Sequence, residues 1–415
     1  MGVGVLTRCA QRALVALCLL LATCRPGYSE DILIGMSAAF SGSSRGLGIE
    51  LYRGSMAYLT EVNRAGGVHG RQIVLKAYDD GYNPLPAIDN TIRLIEKDGV
   101  FALFDYVGTP TVTRTVPLLK RHRDESIFLF FPFTGAQPQR QPPYGEFVFN
   151  LRASYYQETS GLVRHFLEIG RKKIAVFYQI DAYGRTGWEG VRAALASEKL
   201  EMVGEATYRR GTPFPDSMKP QVEILRASGA DAVISIGSYA ACAAFIRDAR
   251  DAGWNVPIAN VSFVGSENLL ALLQGLGKPG DSTYTANLIN SQVVPSYEAL
   301  SQPAVREYRE LMAKHHPAPP PGVVVDGYTS PALSFVSLEG FLNAKLLVGI
   351  LQRMGPPFER KRLRAAVEAV RDFDLGLGAP VSFSADRHQA SDQVYFTVVH
   401  DGRFEMLEDW SRWRQ

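Results

Sequence analysis

The sequence predicts an α/β protein made of two similar lobes, each a doubly wound parallel sheet with helices on both faces. Short apolar runs alternate with segments of helical periodicity from residue 32 onward, the pattern of strands and crossover helices in a parallel sheet. This alternation occurs in two successive series, and a stretch rich in proline and glutamine, residues 137–145, lies between them. The chain has 415 residues, 46% of them hydrophobic, so it can bury two complete cores.

The N-terminal 29 residues are predicted to be a secretory signal rather than part of this fold. Arg8 and Arg12 precede an apolar run, Ala13 to Ala22, that is too short to span a bilayer. Small residues at positions 27 and 29 favour cleavage after Ser29. Because residues 21–24 also resemble a lipoprotein box, lipid attachment at Cys24 is the alternative. No later segment reaches ~18 uninterrupted apolar residues, so an exported and soluble protein is expected.

Charge and cysteine content argue against two classes of protein. Removing the signal takes Arg8, Arg12 and Arg25 from the 44 basic residues and leaves 41 against 42 acidic ones, a formal charge of −1. A nearly neutral chain gives no indication of a nucleic-acid partner. Apart from the three cysteines of the signal, the chain has only Cys242, so we expect no disulfide framework and a fold stabilised by core burial.

The first series begins with a buried strand at residues 32–40. The helix after it carries apolar residues from Ile49 to Val62 at spacings of three and four, and Gly66 and Gly67 end it. The remaining elements of this series are predicted as strand 72–78, helix 85–97, strand 100–104, helix 110–122 and strand 127–131.

The second series starts near residue 155, after a predicted strand at 146–150. Its elements are predicted as helix 156–169, strand 173–179, helix 185–199, strand 202–208, helix 216–228, strand 230–237, helix 239–252 and strand 257–264. The tail contains a rigid proline-rich surface loop at 317–322, helices near 328–351 and 359–371, and a β-hairpin formed by 393–400 and 404–407. We expect the tail to add to the two lobes rather than to form a third.

Residues 42–46 match G-x-S-x-G, the turn that presents a nucleophilic serine in α/β-hydrolases. Ser44 follows the first strand, however, whereas a hydrolase nucleophile follows a central one, and no oxyanion loop precedes it. The glycines of this loop have neither the dinucleotide-binding nor the P-loop spacing, and the histidines are scattered. We therefore expect no catalytic site, no metal site and no cofactor, with a serine hydrolase at Ser44 as a minor alternative.

Polar and aromatic loops follow the predicted strands of both lobes. They lie at residues 41–48, 106–110, 132–136, 181–184 and 238–239. In open α/β sheets, ligands bind beyond the carboxyl ends of the strands, where helix N-termini offer free N–H groups. Helix capping by the hydroxyls and rim packing by the tyrosines are the alternatives at each loop. Five such loops in two lobes favour a ligand site between the lobes.

These loops and the stretches around them resemble bacterial periplasmic substrate-binding proteins of the leucine/isoleucine/valine-binding type. The resemblance starts at residues 32–48, continues through GGVHGRQIVLKAYDDGYNP at 66–84, and includes PFTGA at 132–136 and DAYG at 181–184. It implies the type I periplasmic-binding fold: two α/β lobes that are joined by three hinge segments and close on a small ligand. Lobe 1 would comprise residues 30–151 and about 288–370, and lobe 2 residues 152–287 and about 371–415.

The resemblance also implies where the ligand binds. Its carboxylate would contact two loops of lobe 1, which match Gly108 and Thr109 and residues 133–136, while tyrosines of lobe 2 would close over it. The residues expected to line the site, from the resemblance and from the aromatic loops, are Ser43, Ser44, Leu47, Tyr106, Gly108, Thr109, Phe133, Thr134, Gly135, Ala136, Tyr155, Tyr183, Tyr239, Ser262 and Phe263.

One position departs from the pattern of the amino-acid binders. Where they hold the ligand's α-ammonium with a glutamate, this chain has Ser262, and Glu267 lies five residues further on. If neither Glu267 nor Glu158 reaches the cleft, the aromatic residues suit a planar or aromatic carboxylate better than an amino acid.

The resemblance implies a periplasmic, monomeric protein that is not an enzyme. It would capture a small amino acid-like or aromatic carboxylate and deliver it to the inner-membrane permease of an ABC importer. A ligand-sensing subunit of a signalling system with the same fold is the alternative function.

Overall fold

Two β-sheets organise the chain in a computed structural model that describes residues 30–278, 280–323 and 327–414. The strands are β1 Ile32–Ala38, β2 Ile73–Asp79, β3 Ala102–Phe104, β4 Leu129–Phe130, β5 Val148–Phe149, β6 Ile174–Gln179, β7 Gly204–Tyr208, β8 Ala232–Ile236, β9 Ile258–Asn260, β10 Leu288–Gln292, β11 Tyr395–His400 and β12 Arg403–Met406. The predicted signal at residues 1–29, including Cys24, lies outside the described residues.

The first sheet is parallel throughout and has the order β2-β1-β3-β4-β5. The second has the order β12-β11-β10-β9-β8-β6-β7, in which β11 and β12 form the antiparallel edge of a parallel sheet. The predicted fold class, two parallel-sheet α/β lobes, is therefore confirmed.

Helices cover both sheets and supply the crossovers between parallel strands. They are α1 Arg45–Arg64, α2 Pro84–Ile92, α3 Thr109–Arg121, α4 Tyr155–Glu168, α5 Ala182–Ser197, α6 Lys219–Ala227, α7 Tyr239–Asp251, α8 Ser266–Gln274, α9 Pro303–His315, α10 Phe335–Met354 and α11 Leu363–Glu368. A short 3₁₀ turn, Gly42–Ser44, leads into α1, and another, Ser262–Val264, follows β9.

The predicted elements differ from the observed ones mostly at their ends. The strand expected at 257–264 stops at Asn260, because the chain turns into the 3₁₀ segment and reaches Gly265 with φ +74°. The helix expected near 328 begins at Phe335, where Ser334 and Ser337 form a capping box. Strand β10 and helices α8 and α9 were not predicted.

The pairing of the strands differs from two of the expected lobe boundaries. Strand β10 pairs with β9 and β11, so the second crossing lies after Gln292 rather than at about 288. Residues just after 371 stay with the first lobe, since the Phe383 ring packs 5.8 Å from that of Phe149. The third crossing comes before β11, where Ala390 and Ser391 donate to the carbonyls of Asn150 and Leu151. We propose that lobe 1 comprises residues 30–151 and 293–390.

Helices α1 and α10 cross at glycine positions in the core of lobe 1. A Cβ atom on Gly54 would stand 1.8 Å from the Ser337 carbonyl oxygen, and one on Gly340 would stand 2.1 Å from the Leu51 carbonyl oxygen. Helix α10 is the one described helix that is long and apolar enough to cross a membrane, and 89% of its apolar window is buried in the protein. A helix that is apolar all round belongs in a core when its neighbours cover it.

Several carboxyl groups are buried, which predicts a distinctive dependence of stability on pH. Burial raises the pKa of Asp80 and of Glu339 to about 7 and that of Glu267 to about 8. In the unfolded chain these groups titrate near pH ~4. Between about pH 5 and pH 7 the folded protein therefore binds more protons than the unfolded chain.

The free energy of unfolding should fall as the pH rises through this window and should level off above about pH 8. Urea denaturation at a series of pH values measures this. A free energy of unfolding that stays constant or rises between about pH 5.5 and pH 8 would contradict the assignment of these groups as protonated acids.

Candidate functional site

Aromatic rings from both lobes converge between the two sheets. Phe263 of lobe 2 lies at the centre, with its ring centroid 4.6 Å from that of Tyr183, 5.3 Å from Phe133 and 5.7 Å from Tyr82. The Tyr155 ring lies 5.2 Å from Tyr183. All five side chains are buried. We call the region between the two lobes where these rings meet the cleft.

Two loops of lobe 1 bring a pair of threonines to one wall of the cleft. Thr109 opens α3 and Thr134 follows β4, and their hydroxyl oxygens are 2.7 Å apart. The loops are joined because the Gly108 N–H donates to the Phe133 carbonyl and the Phe133 N–H to the Tyr106 carbonyl. The Thr134 hydroxyl also accepts from the Ala136 N–H at 3.3 Å. Both threonines are fully buried.

Glycines let these loops approach their neighbours closely. Gly108 has φ +102°, and a Cβ atom there would lie 2.1 Å from the Tyr82 ring. A Cβ atom on Gly135 would lie 2.7 Å from the Tyr155 backbone nitrogen, which donates to the Gly135 carbonyl at 2.7 Å. The Tyr155 hydroxyl is buried and has no hydrogen-bond partner among the described residues. Hydroxyl and N–H donors at the start of α3 form a wall suited to an anion.

The loop at 41–48 contacts lobe 2 directly. The Ser44 hydroxyl lies 3.2 Å from that of Ser238, and the Gly46 N–H donates to the Tyr239 hydroxyl at 3.1 Å. Leu47 is buried and faces Gly265, where a Cβ atom would lie 2.7 Å from its side chain, whereas Ser43 is half-buried. Ser44 and Gly46 of this loop therefore join the two lobes at the edge of the cleft.

Replacing Ser44 with alanine tests the hydrolase alternative. We expect no loss of any hydrolytic activity and at most a tenfold loss of ligand affinity, because one neutral hydrogen bond contributes about 0.5–1.5 kcal/mol. Calorimetric titration and an esterase assay measure the two effects. An esterase activity in the wild type that disappears in Ser44→Ala would show that the serine is a nucleophile.

An arginine occupies the side of the cleft at Ser262. Arg152 is buried, and its Nη2 donates to the Ser262 hydroxyl. Its guanidinium lies 4.7 Å above the Phe133 ring centroid, and ion-pair distances of 3.5 and 3.4 Å separate it from Glu158 and Glu339.

Glu158 also lies beside Ser262, where it is held by hydrogen bonds from serine residues. Its carboxylate accepts from the Ser262 N–H at 2.8 Å, from the Ser262 hydroxyl at 3.0 Å and from the Ser291 hydroxyl at 2.6 Å. Glu267, by contrast, accepts from the Phe335 N–H at the start of α10. The carboxylate nearest the position of the expected ammonium site is therefore Glu158, and it already accepts from three donors of the protein.

Tyr106 is the predicted site residue that the structure places elsewhere. Its hydroxyl lies 3.0 Å from that of Thr91, and its ring packs with Leu94 and Val112 in the core of lobe 1. Successive side chains of an extended chain point to opposite sides, and Tyr106 continues the extended chain just after β3. Its side chain therefore points away from the cleft, although its backbone belongs to the loop. The other predicted residues lie at the cleft or at the contact between the lobes.

Several residues at the cleft were missed by the sequence reasoning. Tyr82 follows β2 and accepts from the Gln179 side chain across the lobes at 3.3 Å. Arg210 pairs with Asp181 at 3.3 Å and lies 5.8 Å above the Tyr82 ring. The strand-end rule could have found Tyr82 and Gln179, since both follow or end a strand. The sequence held one indication of Arg152: it is the only charged residue in the stretch 147–153, which is apolar apart from Asn150.

Comparisons with known proteins agree with this architecture. The family model for periplasmic binding proteins matches residues 31–403. The crystal structure of a possible leucine/isoleucine/valine-binding protein from Rhodopirellula baltica is 32% identical, with a TM-score of 0.80 over 92% of this chain and 98% of that chain.

Curated relatives are more distant in sequence. Leu/Ile/Val-binding protein homolog 7 of Brucella melitensis is 26% identical over 367 residues, which are 85% of this chain and 84% of the relative. An amino acid binding protein of Pseudomonas aeruginosa is 27% identical over 227 residues. That match spans 54% of this chain and 58% of the relative, so the chain aligns with less than two thirds of the latter.

Proposed function

This chain belongs to the periplasmic binding protein family, whose members are extracytoplasmic binding proteins rather than enzymes, and from that premise we propose its specific role. It is the solute-binding protein of an ABC importer. It captures a small amino acid-like or aromatic carboxylate in the cleft and delivers it to an inner-membrane permease. We propose that it acts in the periplasm as a monomer.

The observation that carries this proposal is the composition of the cleft. The Thr109 and Thr134 hydroxyls, 2.7 Å apart, would donate to the ligand carboxylate, and the rings of Tyr82, Phe133 and Phe263 provide an apolar surface from both lobes. A hydrogen-bonding end and an aromatic end suit a carboxylate attached to a planar or branched side chain. The names of the relatives, which refer to amino acids or to leucine, isoleucine and valine, support a ligand of this size.

Native mass spectrometry of the protein purified from its host tests the proposal. The expected spectrum contains one small molecule bound per chain, which is released when the protein is unfolded. Deleting the gene in the host should then abolish uptake of that molecule. A protein that carries no small molecule and binds no carboxylate would contradict the proposal. Unchanged uptake together with a lost transcriptional response to the molecule would favour the sensing alternative.

A further inference from the structure

A guanidinium, rather than a free carboxylate, faces the part of the cleft next to Ser262. Arg152 is buried, with only 2% of its surface exposed, and its charge lies over Phe133 and 5.9 Å from the centre of the Tyr155 ring. Neither Nε nor Nη1 donates a hydrogen bond among the described residues, although Nη1 lies 3.4 Å from the Glu339 carboxylate as an ion pair. Buried donors of a charged group are costly to leave unpaired, so the Nε–H group is suited to an acceptor that arrives with the ligand.

The carboxylates around Arg152 do not offer a site for a second cation. Glu158 accepts from Ser262 and Ser291 and lies 3.5 Å from Arg152, so an ammonium could reach it only by displacing protein donors. Burial raises the pKa of Glu339 to about 7, although the Arg152 charge lowers it, so this carboxyl is partly protonated at neutral pH. A positive group brought beside the buried guanidinium would experience like-charge repulsion at low dielectric.

A second, half-buried arginine adds to the positive charge on this side of the cleft. Arg140 donates to the Ala136 carbonyl at 2.7 Å and to the carbonyls of Thr134 and Arg152 at longer distances. Arg140 therefore stabilises the loop that carries Thr134 through hydrogen bonds to its backbone carbonyls. Burial and then the charge of Arg152 lower the pKa of Arg140 to about 9, which leaves it protonated at neutral pH.

We propose that Arg152 is a specificity-determining residue that selects organic acids without an α-ammonium group, such as 2-oxo acids or simple carboxylates, over α-amino acids. This inference rests on the proposed function and narrows its ligand class. The ligand carboxylate binds at the threonine wall, and an oxygen of the ligand accepts from Arg152. The guanidinium thus takes the place that a ligand ammonium would occupy beside Ser262.

Matched pairs of ligands test the inference on the wild-type protein. Calorimetric titration compares phenylalanine with phenylpyruvate and hydrocinnamate, and leucine with ketoleucine and isocaproate. We expect at least one amine-free acid to bind about tenfold to a hundredfold more tightly than its amino acid, the range for a hydrogen bond to a charged group. Equal or tighter binding of both amino acids would overturn the inference while leaving the proposed function intact.

Binding of none of these six compounds would also overturn the inference. In that case, a small molecule seen bound in the native mass spectrum would still support the proposed function. A protein that carries no small molecule would contradict both the proposed function and the inference about Arg152. The two claims therefore fail on different measurements.

Variants assign the selectivity to Arg152. In Arg152→Gln the ratio of acid to amino-acid affinity should fall about tenfold or more, and Arg152→Lys, which keeps the positive charge but not the planar set of donors, should restore only part of it. Arg250→Gln is the matched control, since this buried arginine donates to the carbonyls of Trp254, Val256 and Ala286 away from the cleft. Because the measured quantity is a ratio of two affinities, a general loss of stability would lower both affinities and leave the ratio unchanged. An unchanged ratio in Arg152→Gln would contradict the assignment.

Discussion

Replacing Gly54 with alanine is expected to destabilise the protein by about 3 kcal/mol or more and to reduce its folded yield. The added Cβ atom would stand 1.8 Å from the Ser337 carbonyl oxygen and 2.6 Å from the carbonyl carbon of that residue. Both contacts are with backbone, so no side chain can rotate away, and α10 would have to move off α1. Urea denaturation of the purified variant measures the change in unfolding free energy.

Gly275 provides the matched control for this substitution. It has φ −67° at the end of α8, and a Cβ atom there would make ordinary contacts at 3.4 Å. Gly275→Ala should therefore leave stability unchanged or raise it by up to about 1 kcal/mol through the lost entropy of the unfolded chain. A Gly54→Ala protein as stable as Gly275→Ala would show that α1 and α10 do not cross as closely as the structure has them.

The double substitution Thr109→Val/Thr134→Val is expected to weaken binding of the carried carboxylate by about a hundredfold or more. Each hydroxyl that donates to a charged acceptor contributes about 1.5–3 kcal/mol. In the unliganded protein the two hydroxyls are partners of each other at 2.7 Å. Replacing both with methyl groups of the same shape removes both partners of this bond but leaves the Ala136 N–H without its acceptor, so stability should fall by no more than about 1–3 kcal/mol. Calorimetric titration and thermal unfolding measure the two effects.

Thr115→Val is the control for the double variant. This residue lies on α3, like Thr109, and its buried hydroxyl donates to the Val112 carbonyl within the helix at 3.0 Å. Its substitution should leave ligand affinity unchanged. If the double variant keeps full affinity but unfolds at a lower temperature, the two threonines cap turns and do not bind the ligand.

The sequence carried enough information for the sheets because strands and helices of this fold differ in local periodicity. Apolar runs such as Ile32–Ala38 and Ala232–Ile236 are entirely buried or nearly so, and their short length between loop residues identifies them as strands. Strand β10, LINSQ, is fully buried but polar at three of its five positions, so its pattern gives no such signal.

The cleft was only partly predictable, since strand ends are visible in a sequence and side-chain directions are not. Thr109 and Thr134 follow neighbouring strands, so the sequence alone predicts that they lie together. Tyr106 and Tyr82 both follow strands too, yet one ring enters the core of lobe 1 and the other enters the cleft. Arg152 contacts Glu158, Ser262 and Glu339, and the last two are distant from it in the sequence. The surroundings of Arg152 are therefore visible only in the tertiary structure.

Small-angle X-ray scattering tests closure of the two lobes on a ligand most directly. The contacts of Ser44 with Ser238 and of Gly46 with Tyr239 exist only while the lobes are together. Two lobes joined by a hinge are stabilised in the closed state by a ligand that contacts both. The protein freed of its ligand should have a larger radius of gyration than the same protein after the carried molecule is added back, and Thr109→Val/Thr134→Val should stay at the larger value. Calorimetry first establishes that the ligand binds. Identical scattering curves with and without that ligand would then contradict closure around the cleft.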